Sequence, residues 1–260
     1  MTAYEPNESL NPMQGTLARE SVDDQHPLGK SVALHLIPGV ALLASYILLT
    51  PLVVQMRFPT IFAGSLSILF VLAPLELGYL LYLGRRRNGR LSLAGIVRYR
   101  EPMHIWQYAL FVPLLVVWYS AVISAWQGIM PALAGALSWL PDWALNPLPA
   151  DDPSAQYAAP ILLTAAIFRV ACTGIIAPVI EELYFRGYLL PRIDRLGVWA
   201  VVIGAVLFSF QHLWTPLLDP GRVIAWLPAV YLVWRKRNIY LGIIVHLALN
   251  LAGVILPLMS

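Results

Sequence analysis

Charge is what this 260-residue sequence has least of: Asp, Glu, Lys and Arg together make up 12% of it, where a soluble domain carries about 25%. Hydrophobic residues make up 59%, and the mean hydropathy is +0.69. That shortage excludes an ordinary soluble globule, because several apolar runs reach the roughly 20 residues that a helix needs to cross a bilayer. Cysteine is almost absent. Cys172 alone excludes an internal disulfide, and inside an apolar run it reads as a small packing residue. A basic n-region is missing from the start, and the first apolar run begins late and is long, so no secretory signal is expected. Lys and Arg are missing altogether from residues 131–159, which do hold Asp142, Asp151 and Asp152. A net charge of +3 does not point to nucleic acid, since the arginines cluster beside apolar runs; no nucleic-acid partner is expected.

The polar residues 1–30 have no hydrophobic period and read as a mobile tail, leaving 31–260 as a membrane-embedded domain. Apolar runs predict spans at about 32–54, 60–83, 105–130, 168–190, 198–214, 222–234 and 239–257. A further partial or interfacial helix within 131–167 would make eight. The expected fold class is therefore all-α, a polytopic transmembrane helical bundle of seven to eight spans. Six arginines lie in the loop 84–104, Arg192 and Arg195 follow another span, and Arg-Lys-Arg occupies 235–237. The positive-inside rule puts these segments and the amino-terminal tail in the cytoplasm, and the acidic, Trp- and Pro-rich loop on the opposite side.

Against that background the stretch Ala177-Pro-Val-Ile-Glu-Glu-Leu-Tyr-Phe-Arg186 demands an explanation. A charge at bilayer depth costs about 2.5–3.5 kcal/mol on insertion scales. Residues four apart share a helix face, so Glu182 and Arg186 form a pair in the favourable order, acid before base. Glu181 points about 100° away and is free to face a cavity. Two further polar pairs follow at the same spacing, Phe208 with His212 and His246 with Asn250. One intramembrane histidine is as often a helix-packing group as a functional one. A Glu pair, two histidines and an asparagine on three spans are harder to assign to packing. At 1.5 Å per residue, Glu181, His246 and His212 lie about 16, 12 and 21 Å from the cytoplasmic edge, close enough to meet in one intramembrane cavity. Glu76 is expected to pair with a loop arginine, His35 to serve the interface, and Pro38, Pro74 and Pro113 to kink helices.

The three motifs, Glu181-Glu182-x-x-x-Arg186, Phe208-x-x-x-His212 and His246-x-x-x-Asn250, resemble the CAAX protease and bacteriocin-processing (CPBP, or Abi) family of intramembrane proteases. They occur in that family's order, over a core of about 165–257. The resemblance implies an eight-helix fold, a catalytic cavity within the membrane and endopeptidase activity on a membrane-associated protein or peptide substrate. It further implies that Glu181 activates water, that Glu182 is held by Arg186, that His212 helps hold the water, and that His246 and Asn250 stabilise the oxyanion. Phe208 supports the site. Glu181, His212 and His246 are also the candidate ligands should one divalent metal (Zn) be used. The lack of an H-E-x-x-H helix favours the metal-free form. Membrane lipids are the surrounding partners, and the bacterial plasma membrane the expected location.

A proton- or ion-coupled transporter is the alternative, since intramembrane carboxylates mark such pathways too. It is ranked second because no internal repeat is visible and Asn250 has no useful titration. A catalytically silent scaffold ranks last, because it leaves the buried charges unexplained.

Overall fold

A computed structural model describes residues 24–148 and 157–259. Seven long helical stretches run through them: α1 (Leu28–Gln55), α2 (Ile61–Asn88), α3 (Ile105–Ala136), α4 (Ala159–Leu196), α5 (Val198–Phe210), α6 (Asp219–Lys236) and α7 (Ile239–Met259). A single further turn covers Asp142–Leu145. Among the described residues there is no strand, only an isolated bridge between Arg100 and Asn238. Five helices, α1 to α4 and α7, are long and apolar enough to cross a membrane; α5 is a shorter apolar helix. The all-α polytopic bundle expected from composition is the fold that forms, and the chain is an integral membrane protein.

Helix ends follow local chemistry. The last turn of α2 holds Arg85, Arg86 and Arg87, complementing the carbonyl end of the helix dipole, and Gly89 takes the left-handed conformation that stops it. Several bounds differ from the hydropathy pattern. The apolar helix α3 continues to Ala136 and α4 already starts at Ala159, which shortens the loop between them. Conversely α5 ends at Phe210, not at 214. Thr215 is disfavoured in the helical region because Pro216 follows it. The Ser209 carbonyl at the helix end accepts from His212 N–H (3.1 Å) and also from Arg222 Nη1 (3.3 Å).

Neither α2 nor α4 is a regular α-helix. Wider π turns occupy Ile68–Leu72 and Pro74–Gly78 in α2, and Val170–Ile176 and Glu182–Leu189 in α4. Pro74 and Pro178 lack the N–H that a regular turn would use, and π turns are concentrated at functional sites. The main core gathers Tyr184, Phe185, Tyr188 and Leu189 of α4 against Phe208, Trp226, Val230 and Val245.

One end of the bundle is strapped together by polar contacts. Arg98 N–H donates to Gly187 O (2.7 Å) and Ile239 N–H to Tyr99 O (2.7 Å), tying the 89–104 loop to α4 and α7. Asp24 pairs with Arg98 (2.7 Å) and Arg192 (3.0 Å), and Gln25 Nε2 donates to Pro191 O (3.0 Å). Most of the expected tail, residues 1–23, lies outside the described residues; its final stretch is docked, with His26 buried. Burial, reinforced by Lys30 and Arg192, pulls the His26 pKa down from 6.5 to about 4.

Candidate active site

The site is built on α4 and closed by α7 and the α5–α6 loop. Glu181 and Glu182 are adjacent on α4, where the regular helix passes into the second π turn. Glu182 Oε1 lies 3.2 Å from Arg186 Nη1, both side chains being buried, so the intrahelical pair expected from the spacing is present. The Arg186 guanidinium also lies over the Phe208 ring, 3.6 Å from its centroid, and 5.0 Å from that of Trp226. Phe208 thus supports the cation with its π face.

Glu182 has a second partner, which spacing could not reveal. Its Oε1 shares a 3.0 Å hydrogen bond with His246 Nδ1 from α7. An ionised carboxylate only accepts, so Nδ1 carries the proton and Nε2 is the ring nitrogen left for chemistry. That Nε2 sits 3.6 Å from Glu181 Oε2, just beyond a direct hydrogen bond. Glu182 therefore holds both Arg186 and His246, and His246 faces Glu181. Gly242, one turn before His246, makes this approach possible: a Cβ there would overlap Glu182 Oε2.

His212 sits in the loop after α5 rather than on the helix, a correction to the expected span of 198–214. It nevertheless keeps the four-residue relation, because its Nδ1 lies 2.9 Å from Phe208 O. A carbonyl can only accept, so the other nitrogen, Nε2, is left as an acceptor. The His212 and His246 rings flank the same Phe208 ring at 5.1 and 5.9 Å, and Trp214 lies against His212 at 4.9 Å. Asn250, one turn beyond His246, donates from Nδ2 to Thr173 O (2.9 Å), which leaves one amide N–H and its oxygen for other partners. Trp214 and Thr173 also line a cavity of about 330 Å³, together with Leu42, Tyr46 and Ser67 among others.

Other residues were not legible as parts of this site. Gln211, fully buried, donates to Glu181 Oε1 at 3.5 Å. Arg222 ties down the His212 loop, pairing with Asp219 and donating to Ser209 O and, from Nη2, to Thr215 Oγ1 (2.7 Å). Trp126 Nε1 adds a hydrogen bond to Leu217 O (2.8 Å). Glu76 is fully buried, with neither carboxylate oxygen hydrogen-bonded among the described residues, and within electrostatic reach of Glu181 and Arg186. The expected pairing with a loop arginine does not form. His35 likewise is not interfacial: it is fully buried, its Nδ1 2.7 Å from Ser31 O and its ring 5.3 Å from that of Phe185.

Metal chemistry needs three converging donors. Among the described residues no group of three His, Cys, Asp or Glu side chains is placed to hold a metal ion. The contacts of His246 Nδ1 with Glu182 and of His212 Nδ1 with a backbone carbonyl leave Nε2 of each ring unengaged, an arrangement equally compatible with a metal-free site and with histidine ligands oriented from behind.

The fold and site define a helical membrane protein with a Glu–His–Glu–Arg chain buried across α4 and α7. Comparison with known families is consistent with that description. The family described as type II CAAX prenyl endopeptidase Rce1-like matches residues 163–252, which include all seven motif residues from Glu181 to Asn250. The UPF0177 protein YxdF of Lactococcus lactis subsp. lactis (strain IL1403) is 38% identical over 86 residues, or 31% of this chain and 45% of that protein. No solved structure gives a significant match. The segment carrying the site is thus similar to the Rce1-like endopeptidase family, in line with the resemblance that its three motifs carry.

Proposed function

We propose that the protein is a CAAX-type intramembrane endopeptidase that hydrolyses a peptide bond of a membrane-associated protein or peptide. The observation that supports this most is the 3.6 Å approach of Glu181 to His246 Nε2, with the opposite nitrogen of that imidazole held by the arginine-paired Glu182.

In this reading Glu181 is the general base. Its carboxylate takes a proton from water as the water oxygen attacks the scissile carbonyl carbon. His212, with Nε2 free to accept, helps orient that water. The carbonyl π pair moves onto oxygen, and the negative charge that develops is met by the second Nδ2–H of Asn250, or by Nε2–H of His246 when that ring is doubly protonated between the two glutamates. The proton held on Glu181 then passes to the departing amine as the C–N bond breaks, and the carboxylate is restored. Glu182 and Arg186 take no proton; they fix His246 and balance charge. No step is routed through a metal. The transporter alternative finds no support in the family match.

The arginine-rich end is assigned to the cytoplasm, of a bacterial plasma membrane, in line with the positive-inside rule. Cysteines placed one at a time at Asn88 and Trp139 in a Cys172→Ser background test this. The first should be shielded from an impermeant thiol reagent in intact cells and the second labelled; the reverse pattern inverts the assignment. For activity, membrane peptidomes of cells carrying wild-type protein or Glu181→Gln are compared. A precursor that accumulates only with the variant supports the peptidase. Identical peptidomes, with the wild-type protein present and folded, reject it.

A further inference from the structure

A second cavity, of about 370 Å³, lies at the arginine-bearing end of the bundle, among the ends of α1, α2 and α4. Its lining carries four cations, Lys30, Arg86, Arg87 and Arg192, against one carboxylate, Asp24. That carboxylate is already taken up by Arg98 and Arg192. The rest of the wall includes His26, Tyr79, Leu83, Ile96 and Tyr188.

Two features mark it as more than the positive face that any membrane protein presents. Arg192 is buried and preorganised: it stacks on Tyr188 at 3.8 Å and donates from Nη1 to Tyr188 O (2.7 Å) and Ile96 O (3.2 Å). Its Nε and the Nδ1 of the equally buried His26 have no hydrogen-bond partner among the described residues. With Nη1 on two carbonyls and Nη2 on Asp24, Arg192 supplies fixed positive charge to the wall, and the donors free to meet a phosphate are those of the more exposed Lys30 and Arg86. The place also matters. Tyr82, large and exposed, has its ring 6.0 Å from the guanidinium of the lining Arg86, and the exposed Leu28 stands two residues before the lining Lys30, so a ligand with a phosphate in the cavity can continue along apolar helix faces. A soluble anion would have no use for those faces. The low pKa of His26, caused by burial and then by Lys30 and Arg192, is the mark of an electropositive pocket.

We propose that this cavity is a headgroup site for an anionic phospholipid, whose phosphodiester is received by Lys30, Arg86 and Arg87 beside the fixed charge of Arg192 while its acyl chains lie on α1 and α2. Basic pockets between span ends are a recurrent way of holding such headgroups. The site is separate from the peptidase reading and does not depend on it.

The test uses the full chain in detergent micelles, with thermal melting followed as phosphatidylglycerol, phosphatidylcholine or inorganic phosphate is titrated. Phosphatidylglycerol should raise the melting temperature saturably and phosphatidylcholine should not. The double variant Lys30→Gln/Arg86→Gln should keep the melting temperature of the lipid-free protein and weaken half-saturation about thirtyfold. Arg85→Gln/Arg90→Gln removes the same charge from residues that do not line the cavity, and should change half-saturation less than about threefold. Equal weakening in the two doubles overturns the proposal in favour of diffuse surface charge, and an equal rise with phosphatidylcholine overturns it in favour of lipid solvation that does not read headgroup charge. A rise with inorganic phosphate that matches phosphatidylglycerol and is lost in Lys30→Gln/Arg86→Gln overturns the lipid assignment and leaves a free-anion site.

Discussion

Helices α3 and α4 have the same mean hydropathy, 1.9 over their most apolar windows, and opposite fates. In α3 only Leu115 is buried, and Trp106, Leu110, Leu114 and Val117 are exposed along one helical stripe. In α4 Glu181, Glu182, Arg186 and Arg192 are buried among Tyr184, Phe185 and Tyr188. Hydropathy measures whether a segment can enter the bilayer, and both can. Which helix is central is decided by the groups that lipid cannot satisfy, since a charge or a wide turn is tolerated only where other protein groups surround it. The uncharged α3, with its tryptophans donating to Ile224 O and Leu217 O of the neighbouring segment, packs along one strip and leaves the rest to lipid.

The comparison is tested most severely on α4 itself. Glu181→Gln keeps shape and polarity but removes the base, so cleavage should fall by at least about 10²-fold, the lower end of what general-base assistance contributes, with little change in melting temperature. A cleaving, well-folded Glu181→Gln would remove the carboxylate from the mechanism.

Next come the buried pair partners. Glu182→Gln orphans the Arg186 cation and loosens His246; breaking a buried pair from one side costs about 3–5 kcal/mol. Arg186→Gln should be similarly unstable. Changing both residues together should recover part of the loss, because no orphan charge remains. Melting of the detergent-solubilised protein measures all three, and strictly additive losses would show that the two residues are not coupled.

A smaller effect separates the helices sterically. Gly242→Ala places a methyl where Glu182 Oε2 lies, so a destabilisation of about 1–3 kcal/mol is expected. Val117→Ala on the lipid-facing stripe of α3 should stay within about 0.5 kcal/mol. Comparable melting shifts for the two would contradict the contrast between a packed and a lipid-facing surface.

The mildest effect is at the docked amino-terminal end. The folded protein holds His26 neutral down to about pH 4, whereas an unfolded histidine gains a proton near 6.5. The unfolded state therefore binds the extra proton between those values, and this contribution is full above 6.5 and declines as pH falls towards 4. In lipid-free detergent the melting temperature should drop on acidification over that window, and His26→Gln should flatten the drop. An unchanged slope would assign the acid sensitivity to other groups.

Much of the site was visible before any geometry, because membrane sequences advertise it: an uncompensated charge in an apolar run is too costly to be incidental. The Glu182–Arg186 pair follows from helical spacing alone, and the seven helices from apolar length, with ends shifted by up to nine residues where Ala159 extends α4. Gln211 and Arg222 were missed because each reads as an ordinary polar residue near a span end. Glu76 and His35 were missed because their hydropathy signal is the same whether they meet headgroups or a protein core.

Sequence by itself determined the class of molecule, the order of its spans, the charged face and the residues around which a site had to form, since chain length and charge in a bilayer leave few alternatives. Only the tertiary structure decided the partners. His246 bridges the two glutamates, Gln211 joins Glu181, Arg222 pins the His212 loop and Gly242 admits the Glu182 carboxylate. These contacts cross between helices, where their geometry depends on the wide turns of α4 and on close approach, and the spacing of residues along one chain carries no record of either.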